Sequence, residues 1–356
     1  MNKLRVAIDS GPLTGGHSVR GIGFHTKILI EYLKKNPELS LDVIDFKINK
    51  DLLKKEKFDV LHYPSFYPYF LTLPFKKYSK VVVTIHDLIP LVYPKNYPGG
   101  IRGNLKFLLQ KQLIKKVDAI ITISETSKKD ICRFLGIEPE KIYVTYLAAR
   151  KIFNEKVSTN TLLKVKEKYK LPDKFVLYVG GVNYNKNIVR LAEACKMANL
   201  KLVIVGKHAS DSIHDENHIE DTHLNELINR FGSDKDIMRL GFVEETDLRA
   251  IYSLADIYCQ PSLYEGFGLP VVEAFASGVS VVAAKNNCLV EIANDAAEFF
   301  DPKDVKNIAD TLKKVSNNEK LKEELIKKGL ERNKDFSWEE SAKKTFEVYK
   351  KVSQKP

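Results

Sequence analysis

Gln260-Pro261-Ser262-Leu263-Tyr264-Glu265-Gly266-Phe267-Gly268-Leu269-Pro270-Val271-Val272-Glu273-Ala274-Phe275-Ala276-Ser277-Gly278 is the stretch around which the chain is organised. An apolar strand over 256–259 leads into it, and Pro261, Gly266, Gly268 and Pro270 then interrupt regular structure for about ten residues. Pro270 suits a first helical turn, and the helix continues through 273–277 until Gly278 ends it. Two carboxylates eight residues apart, Glu265 and Glu273, therefore bracket a glycine-containing helix start. Such a start offers backbone N–H groups and a partial positive charge to an anion. An anion flanked by two hydrogen-bond acceptors suits a ligand with phosphates in its middle and hydroxyls at both ends, as in a nucleotide sugar. Gly and Pro between a strand and a helix are also ordinary loop residues. Two acids that the fold does not require point beyond that plainer reading.

The 356 residues suffice for two domains with separate cores. A content of 44% hydrophobic and 29% charged residues is that of a soluble globular protein. No apolar run approaches the roughly 20 residues of a membrane span. The opening Met1-Asn2-Lys3-Leu4-Arg5-Val6-Ala7-Ile8-Asp9 is too short and charged for a signal-peptide core and reads as a first strand. Cys132, Cys195, Cys259 and Cys288 have no metal-ligand spacing, as expected of buried thiols in a reducing cytoplasm. Charge is uneven: residues 1–165 hold 28 Lys and Arg against 15 Asp and Glu, and the rest 29 against 31. The basic half is expected to meet any anionic partner, such as phosphorylated substrates or an anionic membrane surface. No nucleic-acid motif or interleaved aromatic pattern accompanies the charge, which argues against nucleic acid.

Short Val/Ile-rich runs at 4–8, 41–46, 58–62, 80–85, 119–123 and 142–146 alternate with helical patterns, as in a parallel sheet covered on both faces. After the first strand comes a glycine-rich turn, Gly11 to Gly23, which opens a helix through Leu33. It lacks the dinucleotide fingerprint and a Walker lysine. His86 and Asp87 stand at the carboxyl end of a central strand, where α/β sheets keep their ligands. The helix over 101–116 carries Leu105, Leu108, Leu109 and Leu113 amid Arg102, Lys106, Lys111, Lys115 and Lys116. An interfacial membrane helix has this pattern, and so does a core helix with a solvated basic face; the core reading is preferred.

Composition turns polar over 151–170, which places the domain junction at 165/166. A second α/β rhythm follows, with strands at 174–179, 201–205, 237–240, 256–259 and 279–283. Two such halves are expected to hold a ligand in a cleft between them. The turn Gly180-Gly181-Val182-Asn183-Tyr184-Asn185-Lys186-Asn187 puts Lys186 at a strand end, as a cation for the anion site. His208, His214, His218 and His223 lie among acids but form no metal signature, and read as a surface loop. Ser337 and Glu340 form a capping box opening the last helix, over 337–356, which is expected to pack back on the first domain.

Together these segments resemble family 4 of the glycosyltransferases, which are retaining enzymes of GT-B fold. Pro261 to Pro270 with Glu273-Ala274 resembles the family's E-x7-E motif, Gly21-Ile22-Gly23 its glycine loop and His86-Asp87-Leu88 its histidine segment. Ile121-Thr122-Ile123-Ser124-Glu125, Leu240-Gly241-Phe242-Val243, Ala255-Asp256 and Phe336-Ser337-Trp338 also fit. So does Cys288-Leu289-Val290-Glu291-Ile292 with Asp295-Ala296-Ala297, except that Val290 stands where a proline is usual.

The resemblance implies an α/β, two-domain enzyme: an acceptor domain over 1–165 and a donor domain over 166–336. Glu273 would hold the donor ribose and Glu265 the donor sugar hydroxyls. Backbone N–H groups of Phe267, Gly268 and Leu269 would take the diphosphate with Lys186, and backbone near Val243 would face the base. His86 would lie against the transferred sugar, and Gly21 and Gly23 near the phosphates and acceptor. No cofactor or metal is implied; the donor would be a GDP- or UDP-linked sugar, with mannose the first expectation. The acceptor would be a glycan or lipid-linked glycan, and the enzyme cytoplasmic or peripheral on the inner face of the membrane. An arginine usual before the lysine is replaced by Asn185 and Gly181, so one diphosphate cation is missing from that loop. Two other classes remain open: a nucleotide-sugar epimerase of the same architecture, and a non-catalytic binder using the basic half.

Overall fold

The computed structural model describes residues 3–14, 21–207, 209–210 and 222–354. Part of the glycine-rich turn (15–20) and His208, His214 and His218 with their neighbouring acids therefore lie outside the described residues. The chain forms two compact units, Met1–Leu147 with Ser337–Pro356, and Ala148–Phe336.

In the first unit a parallel sheet of β1 (Leu4–Asp9), β2 (Leu39–Ile44), β3 (Val60–Tyr63), β4 (Lys80–Ile85), β5 (Ala119–Thr122) and β6 (Ile142–Val144) has the order β2-β1-β3-β4-β5-β6. β3 and β5 are buried along their whole length, as strands covered on both faces must be. The expected β2 over 41–46 begins and ends two residues earlier, because Asp45 accepts from the N–H groups of Lys47 and Ile48 and turns the chain. Helices α1 (Gly21–Leu33), α2 (Lys50–Lys55), α3 (Ile89–Val92), α4 (Gly100–Ile114) and α5 (Glu125–Asp130) connect the strands.

α4 overturns the core-helix expectation. Leu113 is buried, but Ile101, Leu105 and Leu108 are 84%, 62% and 60% exposed, and Leu109 is exposed too. The helix instead turns Gly103 and Gln110 inward. The Gln110 carboxamide accepts from the N–H of Thr72 at 2.9 Å and from that of Leu73, and donates to the carbonyl of Tyr67. A Cβ at Gly103 would come within 3.1 Å of Tyr69. A buried carboxamide and a glycine contact fix the helix's rotation, and Leu105, Leu108 and Leu109 of the stripe are left outside.

The second unit has a parallel sheet of β7 (Val176–Val179), β8 (Leu202–Val205), β9 (Ile237–Gly241), β10 (Ile257–Gln260), β11 (Val281–Ala284) and β12 (Ala297–Phe300), in the order β12-β11-β10-β7-β8-β9. The chain reverses direction across the sheet between β7 and β10, so the carboxyl ends of those two strands form the topological switch point. The edge strand β12 escaped the sequence reading. Its helices are α6 (Thr159–Lys168), α7 (Ile188–Ala198), α8 (Thr222–Phe231), α9 (Glu245–Leu254), α10 (Leu269–Ala276), α11 (Asn287–Ala293), α12 (Val305–Ser316) and α13 (Glu319–Asn333).

The unit boundary falls after Leu147 rather than at 165/166. The polar segment over 151–170 is anchored to α9: Phe153 stacks edge-on against Tyr252, Arg249 binds Glu155, and Lys168 and Tyr169 both reach Asp247. Its polar composition marks a solvated surface, not a linker. The last helix, α14 (Trp338–Ser353), belongs to the first unit. There Ala342, Phe346, Tyr349 and Val352 join Val6, Leu29, Leu33 and Val82 in one core, and the Tyr349 hydroxyl meets His62 Nδ1 at 2.6 Å. Ser337 caps α14, accepting from the Glu340 N–H and donating to the Glu339 carboxylate.

Candidate active site

The switch point of the second unit gathers most of the sequence-predicted residues. β7 ends in a tight turn over Tyr184–Lys186, and β10 ends in the loop from Pro261 to Gly268. Three asparagines lace these loops in place. The main-chain carbonyl of Asn185 accepts from the Leu263 N–H at 2.7 Å, and its side chain donates to the Tyr264 carbonyl. Asn187, held at φ 59°, donates to the carbonyls of Pro261 and Pro302. Asn286 donates to that of Ser262. Asn185, which stands where the family's arginine was expected, is thus a buried loop anchor.

This framework brings Lys186 onto Glu265: Nζ lies 2.7 Å and 2.9 Å from the two carboxylate oxygens. Gln260 Nε2 and Ser262 Oγ also donate to Glu265 Oε1, at 2.9 Å and 2.6 Å, and the Tyr258 hydroxyl donates to Gln260. Glu265 is buried, so without this cation and these donors its charge would be strongly disfavoured. Gln260 and Ser262 were quoted in the motif but assigned no role. Their positions five and three residues before the acid were visible, but not that both side chains turn back to it.

Gly268 caps α10 at φ 93° and ψ 43°, and a Cβ there would meet Leu289 at 2.8 Å. The glycine is thus required both by the left-handed turn and by the close approach. Leu269 and Pro270 open the helix, while Phe267 is buried edge-on against Phe336. One turn on, Glu273 is buried, with Arg150 Nε at 2.7 Å from Oε1 and the Tyr252 hydroxyl at 3.4 Å from Oε2. Burial raises the pKa of Glu273, opposed by the charge and hydrogen bond of Arg150. Val243 is buried between β9 and α9, two residues before Glu245, which binds Arg150 from its other side. Arg150 was missed from the sequence, since its partner lies 123 residues away.

His86, Gly21 and Gly23 belong to the first unit. Gly21 opens α1 with open space where a Cβ would stand, so its backbone geometry does not demand glycine; Gly23 is buried. His86 follows β4, with its carbonyl accepting from Ser127 Oγ at 2.8 Å. Its Nε2 lies 2.8 Å from Nδ1 of His25 on α1, so one imidazole donates and the other accepts. Burial holds His86 well below the usual histidine range and His25 at about 4, so both are neutral near pH 7. The remaining ring nitrogens, His86 Nδ1 and His25 Nε2, are buried with no hydrogen-bond partner among the described residues. Trp338 packs 5.8 Å from the His25 ring. Among the described residues no group of three or more His, Cys, Asp or Glu is placed to hold a metal ion.

Residues 16–148 match the family model described as Glycosyltransferase Family 4, and residues 160–332 match Glycosyl transferases group 1. The O-antigen chain mannosyltransferase B of Escherichia coli is 30% identical over 308 residues, covering 84% of this chain and 76% of that protein. The serotype-specific mannosyltransferase WbdA of Escherichia coli is 26% identical over 77% of this chain, which spans 34% of WbdA's length. The crystal structure of a glycosyltransferase from Rickettsia africae ESF-5 has the same fold, with a TM-score of 0.72 over the whole of both chains at 17% identity. This likeness, like the two six-stranded parallel sheets, is that of the GT-B fold. The chain therefore belongs to family 4 of the glycosyltransferases, among its mannosyltransferase-like members, and is a glycosyltransferase.

Proposed function

We propose that the protein transfers mannose, with retention of configuration, from a nucleotide diphosphate sugar to a growing glycan or lipid-linked glycan. The observation that carries this reading is the pairing of Lys186 with Glu265 beside the Gly268 turn that opens α10. Glycan and sugar come from the O-antigen chain mannosyltransferase to which the chain is similar; GDP is the first choice of nucleotide and UDP the second. Glu273 is assigned to the ribose, Glu265 to the hydroxyls of the donor sugar, and the backbone near Val243 to the base. The N–H groups at Phe267 to Leu269, with Lys186, are assigned to the diphosphate. As the C1–O bond breaks, its electron pair leaves on the diphosphate, and fixed N–H donors with one cation stabilise that charge. The acceptor hydroxyl adds to C1 on the face the diphosphate leaves, and its proton passes to the departing oxygen. His86, neutral and with Nδ1 unpaired, is assigned to a hydroxyl of the transferred sugar, and the Gly21–Gly23 turn to the acceptor side. No cofactor or metal takes part in this scheme.

Incubation with GDP-mannose or UDP-hexoses tests it. Transfer to a glycan acceptor is expected; sugar rearranged or released equally well without acceptor would favour an epimerase, and no turnover with any donor a binder. Lys186→Ala and Glu265→Ala should each slow transfer at least tenfold, the range expected for losing one transition-state contact of about 2–4 kcal/mol.

The same reading places the enzyme on the cytoplasmic face of an anionic membrane, with the first unit as the docking side. Ile101, Leu105 and Leu108 are exposed on α4, and Phe70, Phe75 and Tyr78 are exposed on the preceding segment, where the sequence reading had expected no such aromatics. Lys106 lies over the Phe70 ring, joining the two. No acid stands between Asp87 and Asp118, a stretch with six Lys and Arg. Apolar side chains ringed by cations suit a leaflet of anionic lipid. No helix among the described residues is long and apolar enough to cross a membrane. Co-sedimentation with phosphatidylglycerol vesicles should fall with salt and with Ile101→Ser and Leu105→Ser. Binding that ignores lipid charge and salt would rule this surface out.

A further inference from the structure

Arg150 lies outside every segment that carries the family resemblance, yet it is the most heavily engaged cation near α10. Its side chain is 17% exposed, with Nε on Glu273 Oε1 and Nη1 on Glu245 Oε1, both at 2.7 Å. The guanidinium also lies over the Phe153 ring, 4.5 Å from its centre. Phe153 in turn stacks edge-on against Tyr252, whose hydroxyl reaches the other oxygen of Glu273. One platform, built from the 150–153 segment and α9, thus grips both carboxylate oxygens of a residue on α10. An arginine fork shared between two carboxylates on different helices fixes geometry as well as charge.

We infer that Arg150 is a positioning residue for nucleotide recognition, which fixes the Glu273 carboxylate as an acceptor for the ribose hydroxyls and is not a substitute for the missing diphosphate arginine. The inference rests on the assignment of Glu273 to the ribose. A ribose offers two adjacent hydroxyl donors, and an ionised carboxylate accepts from both with its two acceptor oxygens and no competing proton. Among the described residues, the charged and titratable groups that act most strongly on Glu273 are Arg150, Tyr252 and Glu245, and of these three Arg150 is the cation. Without it a buried carboxyl would take up a proton more readily and become a donor itself. The two carboxylates already held by Arg150 account for its fork, which leaves Lys186 as the cation assigned to the diphosphate.

The test compares binding of GDP and UDP with their 2′-deoxy counterparts, by calorimetry, across the acid range. The base that binds more tightly is carried forward. Wild type should prefer the ribonucleotide at least tenfold. Arg150→Gln should lose most of that preference, and the pH at which ribonucleotide binding fails should move upward. Arg150→Lys, which keeps charge but not the fork, should recover part of the preference. A wild-type ribose preference in Arg150→Gln, with both nucleotides weakened equally, would overturn the inference and point to the phosphates. Should Arg150→Gln not fold, an unchanged preference in Arg150→Lys together with an unshifted pH limit would overturn it. Glu273→Gln separates the two layers: loss of preference there and not in Arg150→Gln sinks only the role of Arg150. Full preference in Glu273→Gln sinks the ribose assignment itself, and the inference with it.

Discussion

The two units differ in the titratable groups they bury beside their proposed sites. In the second, Glu265 and Glu273 are buried with the cations Lys186 and Arg150, and Lys322 is buried against Asp256 at 2.7 Å. In the first, the buried titratable groups include three histidines, His25, His62 and His86, which burial keeps uncharged. Burying a charge is tolerable only when it is paired, whereas a neutral imidazole needs only hydrogen bonds. The difference matches the proposed chemistry. A diphosphate donor demands charge and cation together, whereas a neutral sugar hydroxyl demands a neutral partner.

The contrast can be broken most forcefully at Lys186. Lys186→Ala leaves a buried carboxylate without its cation, expected to cost about 3–5 kcal/mol in urea unfolding. Pairing it with Glu265→Gln should recover most of that stability and none of the activity. A loss under about 1 kcal/mol for Lys186→Ala would show that the pair behaves as a surface ion pair.

The histidines predict the opposite pH response. His25 falls from 6.5 unfolded to about 4 folded, so the unfolded chain binds its proton first as pH drops. The stability it contributes is complete above pH 6.5 and is lost progressively toward pH 4, about 3 kcal/mol in all from this residue. Trp338, the one tryptophan, packs against His25 and reports on this unit directly. Unfolding followed by its fluorescence should steepen with acid in wild type and less so in His25→Leu. An equal pH dependence in both would mean that His25 is charged in the folded protein.

Two smaller effects sharpen the comparison. Gly268→Ala forces a side chain into a left-handed turn and against Leu289, a cost of about 1–2 kcal/mol that should appear with weaker nucleotide binding. Ser337→Ala removes the cap of α14 and should cost about 1 kcal/mol, with no change in nucleotide binding.

Much of this was legible in the sequence, for identifiable reasons. Continuous apolar strands announce a buried parallel sheet, and Gly268 with Pro270 announces the turn that opens α10. The same glycines and acids carry the family resemblance. What was not legible depends on tertiary contact. The rotation of α4 is decided by Gln110 and Gly103, against the preference of its leucines, so an amphipathic pattern pointed the wrong way. Arg150 stands just before the polar stretch read as the domain junction, and its meaning comes from Glu273 far along the chain. His25 reads as an ordinary residue of α1 until the fold puts it on His86. Asn185 looked like a lost cation and proved to be a loop anchor.

The central claim, that the loop from Glu265 to Glu273 is the donor site, is tested most directly by thermal unfolding with nucleotide sugars. A donor present at a hundred times its Kd should stabilise the wild-type protein by about 2.7 kcal/mol. That gain should largely vanish in folded Lys186→Ala and Glu273→Gln variants. A nucleotide sugar that stabilises these variants as much as the wild type would contradict the claim.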